Sequence, residues 1–290
     1  MISEQQAPPT IPIETSAIAK EADLRAMMRS MRSVLVAYSG GVDSAYLSLI
    51  ATQELADQAL CITAHSPSVS RFQRTEAERI AKEFDFNFRV IETEEMNVPE
   101  YTANAGNRCY FCKSELYERL RAIAADEGIE HVIDGMNADD ASDHRPGRVA
   151  AGEKGIRSPL SEAGMEKEDI RLLSRLQGLP TWDAPASPCL SSRLAYGTPV
   201  TIGRLSKVER GEAVLRELGF REFRVRLHSD MVRIEVAADE MQKMLDPSIV
   251  NAVKEKFRNI GFEFITLDLE GFRSGSLNRV LEQDRLERIN

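Results

Sequence analysis

The sequence predicts an α/β fold in which a parallel sheet covered by helices is followed by a smaller α+β domain. Three observations predict it. An apolar run at residues 34–38 opens directly into Ser39-Gly-Gly-Val-Asp-Ser44. Apolar strand-like runs and amphipathic helical stretches then alternate to residue 134, the pattern of βα units in a parallel sheet. From about Tyr196 the rhythm changes to helix, two strands, helix, strand.

Taken in order, residues 1–17, with Pro8, Pro9 and Pro12, show no sustained period and are expected to form a mobile tail. Ile18, Leu24, Met27, Met28 and Met31 fall at roughly helical spacing, and residues 34–38 read as a buried strand. A helix carrying Leu47, Ile50, Ala51 and Leu55 comes next, then a strand at 59–63. The alternation continues with a helix at 76–84, a strand at 88–91, a helix at 113–127 and a strand at 131–134. Between 138 and 195 the density of Gly, Pro and Ser predicts loops around one helix at 167–176, and loops of that length usually serve function or disorder. The domains are expected to divide near residue 195, giving a first domain over 18–195 and a second over 196–290. In the second, a helix at 206–218 precedes strands at 223–227 and 231–236, which form a hairpin around His228-Ser-Asp230. A helix at 246–257 and a strand at 263–267 complete it.

Composition narrows the function classes. A chain of 290 residues suits about two domains. With 42% hydrophobic and 29% charged residues, 17 Gly and 12 Pro, collagenous, low-complexity and disordered classes are excluded for most of the chain. No apolar run approaches the roughly 20 residues that span a bilayer, and the first residues lack a secretory pattern, so no membrane partner and a cytoplasmic location are expected. The net charge of −9 argues against a protein that grips a phosphate backbone nonspecifically, so no nucleic-acid partner is expected. That charge lies wholly in residues 1–195, with 21 basic and 30 acidic side chains, whereas residues 196–290 carry 16 of each. Four cysteines are too few for a disulfide scaffold and read as buried, catalytic or metal-binding.

The chemistry starts in the loop after the first strand. Gly40 and Gly41 let the backbone turn tightly and bring its N–H groups against an anion, while the following helix N-terminus adds its dipole. Ser39 and Ser44 offer hydroxyl donors. Asp43 suits phosphates only with a divalent cation such as Mg²⁺ between them, the alternative being a helix N-cap. The Walker element Gly-Lys-Ser/Thr is absent. Cys109-Tyr-Phe-Cys112 has the spacing of a metal or iron–sulfur ligand pair and also of a redox dithiol. Cys189 lies in the proline-framed Pro185-Ala-Ser-Pro-Cys-Leu-Ser-Ser-Arg193, where a thiol near arginine has a lowered pKa. Cys61, between Leu60 and Ile62, reads as a small buried hydrophobe. Arg224 and Arg226 lie at i and i+2 on one strand face, which suits a phosphate but is also what a half-exposed strand looks like. Three thiolates leave one iron of a four-iron four-sulfur cluster open for an added sulfide. The competing reading has Cys189 acting alone beside a structural Cys109/Cys112 pair.

The string at residues 39–44 resembles the pyrophosphate loop of the ATP pyrophosphatases, also called the PP-loop or adenine nucleotide alpha hydrolase-like superfamily. His131-Val-Ile-Asp-Gly-Met-Asn-Ala-Asp-Asp140 looks like that superfamily's second loop, although Asp139 and Asp140 also read as solvated loop carboxylates. Asn107-Arg-Cys-Tyr-Phe-Cys-Lys, His144-Arg-Pro-Gly-Arg148, Arg157-Ser-Pro-Leu160, Lys167-Glu-Asp-Ile-Arg171 and the Cys189 string together resemble the LarE family. These are ATP-dependent sulfur transferases that make the nickel-pincer nucleotide cofactor of lactate racemase. The resemblance implies an enzyme that adenylates a carboxylate of pyridinium-3,5-biscarboxylic acid mononucleotide, releases pyrophosphate and forms a thiocarboxylate. It implies ATP at Ser39, Gly40, Gly41, Asp43 and Ser44, with Mg²⁺ at Asp43. It further implies a four-iron four-sulfur cluster on Cys109, Cys112 and Cys189, as in the family's three-cysteine branch, or Cys189 giving up its own sulfur. It implies phosphate-binding arginines at Arg224 and Arg226; Arg193, and Arg273 in the Gly/Ser loop at 271–278, are further expected substrate contacts, and the second domain is expected to serve substrate binding or oligomerisation in a homo-oligomer. The alternatives are an ammonia- or glutamine-dependent amidotransferase of NAD synthetase type, a tRNA thiolase, and a non-enzymatic iron–sulfur or nucleotide sensor.

Overall fold

A computed structural model describes residues 13–141, 146–229 and 231–273. Helix α1 (Ile13–Met31) leads into strand β1 (Val34–Ala37). Residues 13–17, expected to lie in the mobile tail, belong to this helix, and Ala17 is fully buried against the core. Next come α2 (Val42–Leu55), β2 (Ala59–His65), α3 (Arg71–Glu83), β3 (Asn87–Glu92), the short α4 (Pro99–Thr102), α5 (Arg108–Asp126) and β4 (His131–Asp134). The four strands form one parallel sheet in the order β3-β2-β1-β4.

That order positions the site. From the central β1 the chain steps outward to β2 and β3, then returns to place β4 on the other side. The crevice beyond the carboxyl ends of β1 and β4 is therefore the switch point where open α/β sheets bind ligands. Both edges of the crevice lie at one level, since Ala37 is in register with Asp134. Alternate residues of β1 feed opposite cores. Val34 and Val36 pack with α1 and α2, while Leu35 packs with Tyr117 and Leu120 of α5.

The segment expected to be loops around one helix holds four helices among the described residues. They are α6 (Ala138–Ala141), α7 (Pro146–Glu153), α8 (Pro159–Glu162) and α9 (Lys167–Leu176). Pro159 stands in the first turn of α8, where a fixed φ and a missing N–H do no harm, so a proline that reads as a breaker is a starter. His144 and Arg145 lie outside the described residues.

After a short turn at Leu190–Arg193, the second unit comprises α10 (Ile202–Glu217), β5 (Phe223–His228), β6 (Met231–Val236), α11 (Met241–Met244), α12 (Pro247–Ile260) and β7 (Phe264–Leu267). Strands β5 and β6 are antiparallel and β7 joins β6 in parallel, the expected α-β-β-α-β arrangement. Gly211 of α10 lets the helix lie against β5, since a Cβ there would sit 3.0 Å from Val225. Its apolar core also takes in Tyr101, Leu190 and Leu194, with Phe111 and Cys112 packed against it, so the cysteine-bearing segments lie where the two units meet. No helix among the described residues is long and apolar enough to cross a membrane.

Candidate functional site

The loop at residues 39–44 is shaped by its contacts. Gly40 has φ +77°, and a Cβ there would meet the Ala77 Cβ of α3 at 2.8 Å, so neither its conformation nor its surroundings admit a side chain. Gly41 heads α2 without a side-chain cap, leaving the first-turn amides for an outside acceptor. The Ser44 hydroxyl accepts from the Ser39 amide at 3.1 Å, donates to the Gly41 carbonyl at 3.1 Å and lies 3.0 Å from the Ser39 hydroxyl. Both serines therefore brace the loop.

The second loop closes on the first. A Cβ on Gly135 would sit 2.8 Å from the Ser44 amide nitrogen, so this glycine permits the close approach of the two loops. Asp134 accepts from Tyr117 Oη at 2.6 Å, Ser158 Oγ at 2.8 Å and the Met136 amide at 3.2 Å. Asn137 donates to Asp43 at 3.3 Å, and Lys167 pairs with the other Asp43 oxygen at 2.5 Å. The Lys167 amide in turn donates to Asp139 at 2.8 Å. Asp43 is thus a partly exposed carboxylate, held by an amide and an ammonium at the mouth of the loop.

Cys109 and Cys112 occupy the first turn of α5, and Cys189 stands at the head of the turn Leu190–Arg193. Arg108 connects the two segments by donating to the Ser191 carbonyl at 2.9 Å. Burial opposes the charge on Arg108, but Cys189 and Cys109 outweigh it and raise its pKa. Burial raises the Cys112 thiol, and Cys189 and Glu95 push it further. These thiols therefore share one electrostatic environment. Cys61 lies apart, fully buried in β2, with burial pushing its thiol up to about 11.

Arg193 is buried, with Nε 2.8 Å and a terminal nitrogen 3.3 Å from the two Glu212 oxygens. Its other terminal nitrogen donates to the carbonyls of Pro188 at 2.5 Å and Cys189 at 3.2 Å. The guanidinium expected to act on the Cys189 thiol thus holds the backbone around it. Arg224 and Arg226 do share one face of β5, and both reach the same strap of chain. Arg224 donates to the Ala186 carbonyl at 2.5 Å, and Arg226 donates to the Ser192 carbonyl at 3.0 Å. Arg226 is also paired with the fully buried Glu235 at 2.9 Å. Arg224 stacks 4.5 Å from the Phe272 ring, and burial, with Arg193 next, lowers its pKa. Arg273 pairs with Glu270 and follows directly on Phe272, whose ring Arg224 stacks against, while the rest of its Gly/Ser loop lies outside the described residues.

Sequence reasoning missed Arg108, Gln73, Glu212 and the Asp43–Lys167 pair. The signals were Arg108 beside Cys109 and the helix-opening pattern Ser70-x-x-Gln73.

Two fits follow for metal groups. Magnesium on a nucleotide needs only one or two carboxylates besides phosphate oxygens, which Asp43 meets. Among the described residues no set of three or more His, Cys, Asp or Glu side chains is arranged to hold a metal ion. A cubane cluster spreads its thiolates more widely than a single ion does, and the donor type of Cys109, Cys112 and Cys189 suits iron and sulfide.

No family model matches the chain. It is 44% identical over 263 residues to an uncharacterized protein of Synechocystis, covering 91% of this chain and 98% of that one. It is 35% identical over 268 residues to the pyridinium-3,5-bisthiocarboxylic acid mononucleotide synthase of Lactiplantibacillus plantarum, covering 92% of this chain and 96% of the relative. An uncharacterized protein of Methanocaldococcus jannaschii is 30% identical over 84% of this chain and 92% of its own.

Proposed function

Because the chain belongs to the LarE family, that of the pyridinium-3,5-bisthiocarboxylic acid mononucleotide synthase, we propose that it is an ATP-dependent sulfur transferase acting in the cytoplasm on a small nucleotide. The substrate in this reading is pyridinium-3,5-biscarboxylic acid mononucleotide. The observation that carries the reading is the 35% identity running over 92% of the chain and 96% of the relative, a span that includes both loops and all four cysteines' neighbourhoods. A glycine-built anion loop with the Asp43 carboxylate at the sheet's switch point, and a thiol-bearing strap tied to α3 through Gln73, support it.

A carboxylate is a poor electrophile until its oxygen carries a good leaving group. In the first step a substrate carboxylate oxygen attacks the α phosphorus of ATP and pyrophosphate departs. The amides of Gly40, Gly41 and the first turn of α2 receive the departing phosphates. Asp43, directed by Asn137 and Lys167, is the residue that would hold a magnesium ion, which when bound would neutralise charge on the phosphates. In the second step a sulfur nucleophile attacks the acyl carbon and AMP leaves. When Cys189 is that nucleophile, its thiol loses a proton and forms a thioester. Loss of the cysteine α proton with cleavage of Cβ–Sγ then frees the thiocarboxylate and leaves dehydroalanine. Cys109, Cys112 and Cys189 are instead the residues that would hold a four-iron four-sulfur cluster, which when bound supplies a transferable sulfide. In either case Arg193, Arg224 and Arg226 fix the strap that presents Cys189.

The test is pyrophosphate release from ATP and magnesium with the mononucleotide present. Release that depends on the mononucleotide supports the reading. Release only with ammonia or glutamine added, accompanied by amide formation, replaces it with the amidotransferase.

A further inference from the structure

The strap at residues 186–192 is held by the Leu190 amide, which donates to the Ser68 carbonyl at 2.7 Å, and otherwise mainly through its own carbonyls. Ala186 accepts from Arg224 at 2.5 Å, Ser187 from Gln73 at 2.7 Å, and Pro188 and Cys189 from Arg193 at 2.5 and 3.2 Å. Ser191 accepts from Arg108 at 2.9 Å and Ser192 from Arg226 at 3.0 Å. Four of the five donors are cations borne by α5, β5 or the strap itself. Gln73 alone comes from α3, and α3 also touches the nucleotide loop.

The placement on α3 is specific. Gln73 and Ala77 are four residues apart and so lie on one helix face, about 6 Å apart along the axis. Ala77 packs under Gly40 with no slack, and its carbonyl accepts from Tyr38 Oη at 3.0 Å. The first turn is fixed from outside as well, because Arg216 of α10 stacks 4.0 Å from the Phe72 ring and the Arg71 amide donates to Glu209. Gln73 divides its amide between two tasks. Its Oε1 accepts from the Ser70 amide at 3.1 Å and the Ser70 hydroxyl at 3.0 Å, completing the capping box, while Nε2 donates to Ser187.

We propose that Gln73 is a positioning residue that ties the Cys189 strap to the nucleotide loop through α3, so that occupancy of the loop at residues 39–44 sets the order of the strap. A phosphate seated on the Gly40 and Gly41 amides presses or draws the loop against Ala77. A helix transmits that displacement one turn along its axis without bending. The Ser187 carbonyl, two residues before Cys189, receives it through one hydrogen bond. The inference rests on the reading of residues 39–44 as the ATP loop.

Gln73→Glu separates the two tasks. The carboxylate keeps the acceptor for Ser70 and places an acid in the first turn, which the helix dipole favours, but it removes the donor to Ser187. In the wild-type protein, α,β-methylene-ATP with magnesium slows amide hydrogen exchange over residues 186–192. In Gln73→Glu that segment exchanges faster at rest, and the nucleotide no longer slows it. The variant melts within about 4 °C of wild type and still releases pyrophosphate, while thiocarboxylate formation falls about tenfold, the equivalent of one hydrogen bond. A variant with wild-type exchange and wild-type sulfur transfer overturns the proposal. So does a wild-type strap that binds the nucleotide analogue elsewhere in the exchange map yet is indifferent to it at 186–192. Failure of the functional reading looks different: no nucleotide protection at residues 39–44 and no pyrophosphate release in the wild-type protein.

Discussion

Replacing Arg193 by Met removes the cation from a pair whose side chains are only 3% and 8% exposed. What remains is a Glu212 carboxylate in the interior that accepts from the Val225 amide at 3.4 Å, with the charges of Arg224 and Arg216 acting on it from farther off. Stranding a buried charge in this way costs about 3–5 kcal/mol. For a chain of this size each kcal/mol moves the melting temperature by about 2–4 °C, so Arg193→Met is expected to melt roughly 6–20 °C below wild type. The pair Arg193→Met with Glu212→Leu removes the stranded charge and fills the site with apolar volume, so most of the lost stability returns. Sulfur transfer does not return, because the carbonyls of Pro188 and Cys189 still lack their donor. Calorimetry on both variants, set beside thiocarboxylate formation, separates the two effects. A single variant melting within about 2 °C of wild type, or a double variant with full transfer, refutes the positioning role of Arg193.

Three further outcomes are expected. Gly40→Ala, which drives a Cβ to 2.8 Å from Ala77 at φ +77°, is expected to weaken ATP binding at least tenfold and to destabilise the fold by about 1–3 kcal/mol, measured by nucleotide titration and thermal melting. Asp43→Ala is expected to lower pyrophosphate release by about a hundredfold or more while the protein stays folded, and full release would take Asp43 out of the metal site. Burial raises Cys61 to about 11, so at about pH 8 iodoacetamide should label the exposed Cys109 while Cys61 stays unlabelled in peptide mass maps. The same shift fixes a sign for stability. Its contribution is intact below the unfolded thiol pKa and is lost as pH rises from about 9 toward 11, so melting should fall across that window.

Much of this architecture was legible because its signals are local. The run at residues 34–38, the glycines after it and the alternation through Asp134 marked the parallel sheet, and the changed rhythm after Tyr196 marked the second unit. Helix starts were read late for one physical reason. The apolar spacing reports only the buried stripe, whereas the start of α3 is set by the Ser70 capping box and that of α10 by the Thr201 cap, and the opening turn of α5 is Arg-Cys-Tyr-Phe with no side-chain cap. Pro159 hid a helix by looking like a breaker. At the site, the residue types and the strings that hold them were visible, but their partners were not. Nothing in the sequence pairs Arg193 with Glu212 or Asp43 with Lys167, because those contacts span 19 and 124 residues and exist only once the chain has folded. The arginines of β5 show the same limit. Their shared face was readable from period 2, yet that the face lies against the backbone of the Cys189 strap depends on tertiary packing.

The central claim is that the chain replaces a carboxylate oxygen of the mononucleotide by sulfur after adenylation. Mass spectrometry of the product, formed anaerobically from pyridinium-3,5-biscarboxylic acid mononucleotide, ATP and magnesium, tests it most directly. The account predicts a product in which one oxygen has become sulfur, with one AMP and one pyrophosphate formed for each replacement and, when Cys189 is the donor, loss of one sulfur and two hydrogens from the protein. An unchanged mononucleotide, or one that has gained nitrogen in place of oxygen, would contradict it.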